Sequence, residues 1–347
     1  MISTKNAGTV LVSVLNWNSW KNTIRCLDSL YMMDSEDFTV VVVDNASSES
    51  IPEHFSLLYP KAIIMQNKEN LGFAKGHKTA IDWGLAHDYD YFWILNNDLL
   101  VHPQVLNTLR SAVEQHGAMG LYGSLSIEGN PPRPINPGFL LKKTGRINFH
   151  TTGQNMARAI NNSLRVGNSV LKVGTLYGCS LFMSRGLLQK YGFMRPEFFM
   201  YREEVDYALY LYSHGVASYL VVNSLVYHDG QHNSRRNRAL NTVLGYYMSR
   251  NKFYSYRRLG RHAACYFGLF RSIAHLIKNC AKHAYKELKH VPNNDLEHGL
   301  AGMLGIWHGL IGKTGRTLQP EHALKIGSRP YFGSYARSIK NSKQELR

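Results

Sequence analysis

Residues 91–101 read YFWILNNDLLV. A short apolar run, rich in aromatic and branched side chains, meets Asn96, Asn97 and Asp98, then turns apolar again and reaches Pro103. Such a run predicts a buried strand of a parallel sheet, and open α/β folds bind ligands at the carboxyl ends of their strands. One carboxylate flanked by two carboxamides suits a divalent cation held against a diphosphate, because hard cations take oxygen ligands. The same three residues suit a strand ending in an Asx turn. The flanking chain has to decide.

Upstream, Thr9 to Leu15 is another branched apolar run, ending at Asn16, Trp17 and Asn18. Ser19 then reads as the N-cap of a helix that carries Trp20, Ile24, Leu27, Leu30 and Tyr31 at helical spacing. Phe38 to Val43 repeats the pattern and stops at Asp44 and Asn45. Ala62 to Gln66 predicts a further strand, leading through Asn70, Gly72, Lys75 and Gly76 into a helix that reaches about His87. Alternating strand and helix predict a mostly parallel, Rossmann-like sheet flanked by helices, with right-handed crossovers. Three of these four strands end in Asn or Asp, and clustering at one sheet edge favours a ligand site over isolated turns. Asp44 can accept a hydrogen bond from the ring N–H of a pyrimidine, and glycines at 72 and 76 let backbone approach a phosphate or sugar. GxGxxG and GxxxxGK[ST] are both missing, which argues against a dinucleotide fingerprint and a phosphate loop.

Downstream, residues 123–175 hold Pro131, Pro132, Pro134, Pro137 and several glycines, which predicts a long irregular excursion able to carry acceptor specificity. GCSLFMSRGLLQKYGF from Gly178 reads as strand then helix. The aromatic run Phe198 to Tyr201 precedes Glu203, Glu204 and Asp206, in the first turn of a helix with Val205, Ala208, Leu209 and Tyr212 at apolar positions. A helix dipole favours acids there whatever their role. Three carboxylates within four positions also supply a general base. SLVYHDG at 224–230 puts His228 and Asp229 at a strand end, where a histidine suits packing as readily as a metal.

The 347 residues are 44% hydrophobic, enough for a large core or two domains. Residues 1–230 hold 19 Lys and Arg against 19 Asp and Glu, whereas residues 231–347 hold 21 against 5, so the net charge of +16 lies in the last third. That third reads as helices from Ala239. Tyr246, Tyr247, Phe253 and Tyr254 alternate with Arg250, Lys252, Arg257, Arg258 and Arg261. Ala263 to Ile277 is apolar but broken by Arg271 and His275, and Leu296 to Gly312 is apolar and glycine-rich. Basic amphipathic helices suit an anionic membrane surface. A solvated face, an oligomer interface and nucleic-acid binding stay open, although no recognition motif accompanies the charge. Cys26, Cys179, Cys265 and Cys280 stand far apart and predict free thiols in a reducing compartment. The N-terminus has no apolar signal core, and no apolar run is long enough to span a bilayer.

Taken in order, these pieces resemble the family 2 inverting glycosyltransferases of GT-A fold, in particular their bacterial rhamnosyltransferase-like branch. The resemblance rests on LNWNSW (15–20), VVDNASSES (42–50), ENLGFAKG (69–76) and LNNDLLV (95–101). It continues through GCSLFMSR (178–185), FFMYREEVDYAL (198–209), YHDG (227–230) and YYMSRNKFY (246–254). It implies that Asp44 contacts the nucleobase and that Asn70 with Gly72 to Gly76 lines the nucleotide and sugar. Asn16, Asn45, Lys75, Asn96 and Asn97 complete the donor-binding strand ends. Asp98 matches the last carboxylate of a DxD motif, which holds Mg2+ or Mn2+ against the donor diphosphate, and Asn96 stands where many relatives have aspartate. His228 matches a histidine of the metal site. In the family's Glu-Asp-x-Asp motif the second acid is the catalytic base; here it is Glu204, one methylene longer, with Asp206 in reserve and Glu203 beside it. Lys78 stands where relatives often carry asparagine.

The expectation is a GT-A domain over 1–238, with a nucleotide-sugar half (1–122) and an acceptor half (123–238), followed by a basic α-helical extension over 239–347. The resemblance implies inverting, metal-dependent sugar transfer in bacterial surface polysaccharide assembly, such as O-antigen or another lipopolysaccharide part, or capsule. The donor is expected to be dTDP-L-rhamnose or otherwise a UDP-hexose, and the acceptor a saccharide, lipid-linked in that setting. A cytoplasmic protein, peripheral on the inner face of the cytoplasmic membrane, fits this role, with a homo-oligomer as an open alternative for the basic extension. The rival readings are a sugar-nucleotide binding protein without turnover and a basic nucleic-acid-binding protein.

Overall fold

The structure is a computed structural model that describes residues 8–135, 138–228, 238–260 and 295–318, with isolated positions between 269 and 278. Cys265, Cys280, Asp229, Gly230, Arg261 and most of 263–277 lie outside the described residues. The chain divides into two compact units. The first is Met1–Pro196 with Glu203–Gly230, and the second is Glu197–Arg202 with Gln231–Arg347.

In the first unit, uncharged branched runs form β1 (Val10–Asn16), β2 (Phe38–Asp44), β3 (Ile63–Gln66) and β4 (Tyr91–Asn96). The side chains of β1, β2 and β4 are buried along most of their length. Strands covered on both faces need such continuous apolar sequence. The covering helices are α1 (Trp20–Tyr31) and α3 (Gly72–Leu85), with the short α2 (Phe55–Leu58) between β2 and β3. The four strands pair in parallel in the order β3-β2-β1-β4. Their order reverses between β1 and β4, the topological switch point where open α/β sheets bind ligands.

Beyond β4 the sheet runs β9 (Ser180–Ser184), β6 (Leu121–Glu128), β10 (Ser218–His228) and β5 (Leu99–Val101). β9 is antiparallel to both β4 and β6, and β5 is antiparallel to β10. Six of the ten strands of this sheet therefore share one direction, which matches the mostly parallel sheet expected.

The stretch 123–175 departs from expectation. It contributes the central strand β6, the edge strands β7 (Arg133–Pro134) and β8 (Val170–Val173) and the helix α5 (Gly153–Arg165), between α4 (Val105–His116) and α6 (Arg185–Tyr191). Pro131, Pro132 and Pro134 fall at the edge and leave β6 intact, while Thr152 caps α5 by accepting from the Asn155 amide at 3.2 Å. Ser19 precedes α1 as expected, but its side chain makes no cap bond. The glycine stretch from Gly72 is already helical, so it is the first turn of α3 rather than a loop before it.

In the second unit, the helix Arg238–Arg258 packs on the helix Asp295–Ile311. Glycines set how closely they approach. A Cβ at Gly305 would lie 2.3 Å from the Tyr246 carbonyl oxygen, and one at Gly309 2.4 Å from that of Arg250. Among the described residues no helix is long and apolar enough to cross a membrane.

Candidate active site

Parallel register brings the polar strand ends together. Asn16 is opposite Asp44 on β2, and Leu15 is opposite Asn96 on β4. Asp44 is buried, and its carboxylate Oδ1 accepts from Asn16 Nδ2 at 3.0 Å and from the Ser47 hydroxyl at 2.5 Å. Its Oδ2 has a longer contact, 3.4 Å, with the Ser47 amide. This Asx-type turn places Ala46 at φ 60°. Ser47 Oγ also accepts from the Asn18 amide at 2.8 Å and from Asn16 Nδ2 at 3.1 Å. Ser47 is thus the hub that orients Asp44, a role that the D-N-A-S spacing alone could have suggested.

Asn16 and Asn45 have every polar side-chain atom engaged. Asn16 Oδ1 accepts from Thr23 Oγ1 at 2.8 Å and from Asn97 Nδ2 at 3.3 Å. Asn45 Nδ2 donates to Asn70 Oδ1 and the Gly72 carbonyl, and its Oδ1 accepts from Asn67 Nδ2 and the Leu71 amide, at 3.0 to 3.1 Å. Saturated carboxamides hold the strand ends and the α3 entry in place. Gly72 sits at φ 78°, and a Cβ at Gly76 would lie 2.7 Å from Leu15 Cδ1, so Gly76 serves the packing of α3 on β1. Lys75 is exposed on the first turn of α3.

Asn97 and Asp98 carry the chain from β4 in the middle of the sheet to β5 at its end. Asn97 Nδ2 donates to Thr23 Oγ1 at 2.9 Å, and the Asn96 amide donates to the Cys179 carbonyl at 2.9 Å. β10 pairs His228 with Leu99, and His228 Nε2 stands 3.5 Å from Asp98 Oδ2. Asp98 Oδ1 is buried and has no hydrogen-bond partner among the described residues. A buried carboxylate oxygen left this way is costly unless something fills its coordination. Among the described residues no group of three or more His, Cys, Asp and Glu could hold a metal by itself. Asp98 with His228 fits the smaller protein contribution found where substrate phosphates supply the other ligands.

The acids of α7 (Glu203–Ser213) separate by environment. Glu203 and Asp206 are buried, and Asp206 Oδ2 lies 3.9 Å from Arg195 Nε. Glu204 is half-buried, and its side chain lies over Gly178, where a Cβ would stand 3.2 Å from both its Cβ and Cγ. Gly178 precedes Cys179, the partner of the Asn96 amide, so the residues leading into β9 link Glu204 to the end of β4. Burial pushes the Cys179 thiol up to about 12; the Ser126 hydroxyl at 2.8 Å opposes this, and the nearby charges of Asp98 and Glu204 add to it. Burial, then Asp98, also raises the Cys26 thiol. Both thiols are free, buried and protonated.

The model of Glycosyl transferase family 2 matches residues 9–192. No curated protein sequence matches the chain. The fold is similar to the crystal structure of GalNAc-T7 with UDP, GalNAc and Mn2+, with TM-score 0.51 at 15% identity, covering 73% of this chain and 50% of that one. It is also similar to S. aureus TarS 1–349 in complex with UDP-GlcNAc, with TM-score 0.46 at 16% identity, covering 69% of this chain and 66% of that one. This chain therefore spans half the length of the GalNAc-T7 structure and about two thirds of the TarS fragment.

Proposed function

The chain belongs to glycosyl transferase family 2, and we propose that it transfers a sugar from a nucleoside-diphosphate donor to a saccharide hydroxyl with inversion at the anomeric carbon. The observation that carries this reading is the Asp98 and His228 pair, 3.5 Å apart at the end of the switch-point strand, with one Asp98 oxygen unpartnered among the described residues. In this reading Asp44 receives the nucleobase, and the carboxamide network around Asn16 and Asn45 keeps the donor cleft preformed.

A divalent cation, Mg2+ or Mn2+, held by Asp98 and His228 stabilises the charge of the leaving diphosphate by several kcal/mol when bound. Glu204 is the general base. Its carboxylate takes the acceptor hydroxyl proton while that oxygen bonds to the anomeric carbon and the bond to the diphosphate breaks. A positioned base contributes about 10^2 to 10^4-fold. The half-buried setting of Glu204, against full burial and an arginine neighbour for Asp206, favours Glu204. Replacing Glu204 with Gln should abolish most turnover while donor binding persists. Wild-type turnover in Glu204→Gln would sink the assignment.

A lipid-linked acceptor at an anionic membrane surface is the partner this reading favours. Its support is the basic last third together with Trp307, Ile311 and Phe270, which are 61%, 51% and 74% exposed. Liposomes with and without anionic lipid test it by flotation, and absence of binding to both rejects it. dTDP-L-rhamnose is the first donor to try and UDP-hexoses the second, a choice that rests on motif resemblance alone.

A further inference from the structure

The segment Glu197–Arg202 groups with the second unit. Three of its residues bear side chains yet have left-handed backbone, Phe199 and Tyr201 at φ 65° and Arg202 at φ 71°. Such backbone is unfavourable for any residue with a Cβ and persists only where the surroundings impose it.

Two adjacent buried residues impose it here. Asn251 Nδ2 lies within hydrogen-bonding distance of the carbonyl oxygens of Phe198 (3.1 Å), Met200 (2.7 Å) and Tyr201 (2.7 Å). Arg250 Nη2 donates to the Phe198 carbonyl at 2.5 Å and has a longer contact, 3.4 Å, with that of Glu197. The two residues are locked to each other, since Arg250 Nε donates to Asn251 Oδ1 at 2.8 Å. Arg250 is anchored in turn by the Gly315 carbonyl at 2.5 Å, by Thr317 Oγ1 at 3.0 Å and by the Tyr247 ring, 4.7 Å below the guanidinium. Both side chains are at most 1% exposed. Burying a guanidinium to hold backbone carbonyls is expensive, and a turn that mattered only as a connection would not require it.

The peptide bond from Arg202 to Glu203 carries the chain out of this turn and straight into the acids of α7. We infer that Arg250 and Asn251 are positioning residues for the base: they fix the backbone from which the first turn of α7, and with it Glu204, departs. The inference rests on the assignment of Glu204 as the base. It gives the YYMSRNKFY stretch a role in turnover.

The test uses the full chain, with kcat and donor KM measured for Asn251→Ala beside Glu204→Gln. Misplacement of a catalytic group by about 1 Å costs about 10^2-fold. Asn251→Ala is therefore expected to lower kcat by at least about tenfold and leave donor KM within about twofold, because the donor cleft is untouched. Tyr201→Gly added to Asn251→Ala should recover part of the lost kcat, since glycine takes left-handed backbone without help. If Asn251→Ala does not fold, Arg250→Lys serves, keeping the charge but losing the planar fork. Wild-type kcat in these clamp variants, with Glu204→Gln inactive, overturns the positioning role. So does an equal loss of kcat and donor affinity without rescue by Tyr201→Gly. Wild-type turnover in Glu204→Gln removes the base assignment and this inference together.

Discussion

Gly178 fits tightly against Glu204: a Cβ at position 178 would stand 3.2 Å from Glu204 Cβ and Cγ and 3.5 Å from its Cδ, so a methyl group there would make the Glu204 side chain give way. The glycine two residues ahead of β9 therefore shapes the path of the proposed base. Gly178→Ala should displace the Glu204 side chain, lowering kcat by about tenfold or more with donor affinity unchanged. Overpacking of this kind costs about 1 to 3 kcal/mol. Steady-state kinetics beside thermal unfolding separates the two effects, and an unchanged kcat would show that Glu204 tolerates displacement.

Ser47 is expected to matter to the proposed donor site although it carries no charge. Its hydroxyl gives Asp44 the shortest hydrogen bond of the cleft, 2.5 Å, and accepts from the Asn18 amide. Losing a hydrogen bond to a buried charge costs about 1 to 3 kcal/mol. Ser47→Ala should lower stability by that amount and weaken nucleotide binding, both readable by calorimetry with and without nucleotide.

Much of this cleft was legible in the chain because parallel strands announce themselves. FTVVVVD and YFWILNND are uninterrupted apolar runs that end in polar residues, and parallel register leaves those ends side by side. The acids of α7 were legible for a similar reason, since Val205, Ala208 and Leu209 fix the helical phase. What the chain concealed was longer in range. β6 and α5 hid behind the Pro131 to Pro137 cluster, whose local signals say loop while pairing with β9 and β10 makes β6 central. The bond from Asn16 to Ser47, the tight fit of Gly178 against Glu204 and the grip of Asn251 on the turn before α7 depend on residues 31, 26 and about 50 positions away. No local pattern encodes such contacts.

His77 should make the fold acid-sensitive. It is fully buried beside Ser13, whose Oγ is 2.8 Å from Nδ1, while Nε2 has no partner among the described residues, so a second ring proton would go unpaired. Burial lowers its pKa from 6.5 to about 3. The unfolded chain then binds the proton more readily than the folded one, so this contribution is fully present above pH 6.5 and is lost as pH falls from 6.5 towards 3. One such proton corresponds to about 1.4 kcal/mol per pH unit. The stability of His77→Gln, followed by urea unfolding from pH 7.5 to 4.5, should fall less steeply than that of the natural chain. Equal slopes would contradict a neutral buried histidine.

The two long helices of the second unit offer a contrast within one stripe. Gly305→Ala would push a methyl group to 2.3 Å from the Tyr246 carbonyl oxygen, whereas at Gly302 the nearest atom, Ser249 Oγ, is 3.4 Å away. Gly305→Ala should destabilise by about 1 to 3 kcal/mol or more. Gly302→Ala should be neutral or stabilise by up to about 1 kcal/mol, because alanine is the better helix former. Thermal melting of the two variants side by side decides this.

Thermal unfolding with UDP, dTDP and GDP, each with and without Mn2+, tests the donor site most directly when run on the natural chain and on Asp98→Asn. A ligand at 100 times its dissociation constant stabilises by roughly 2.7 kcal/mol, a readily measured rise. The account predicts a rise with at least one nucleotide that depends on Mn2+ in the natural chain and disappears in Asp98→Asn. No rise with any nucleotide, or an equal rise in Asp98→Asn, would contradict it.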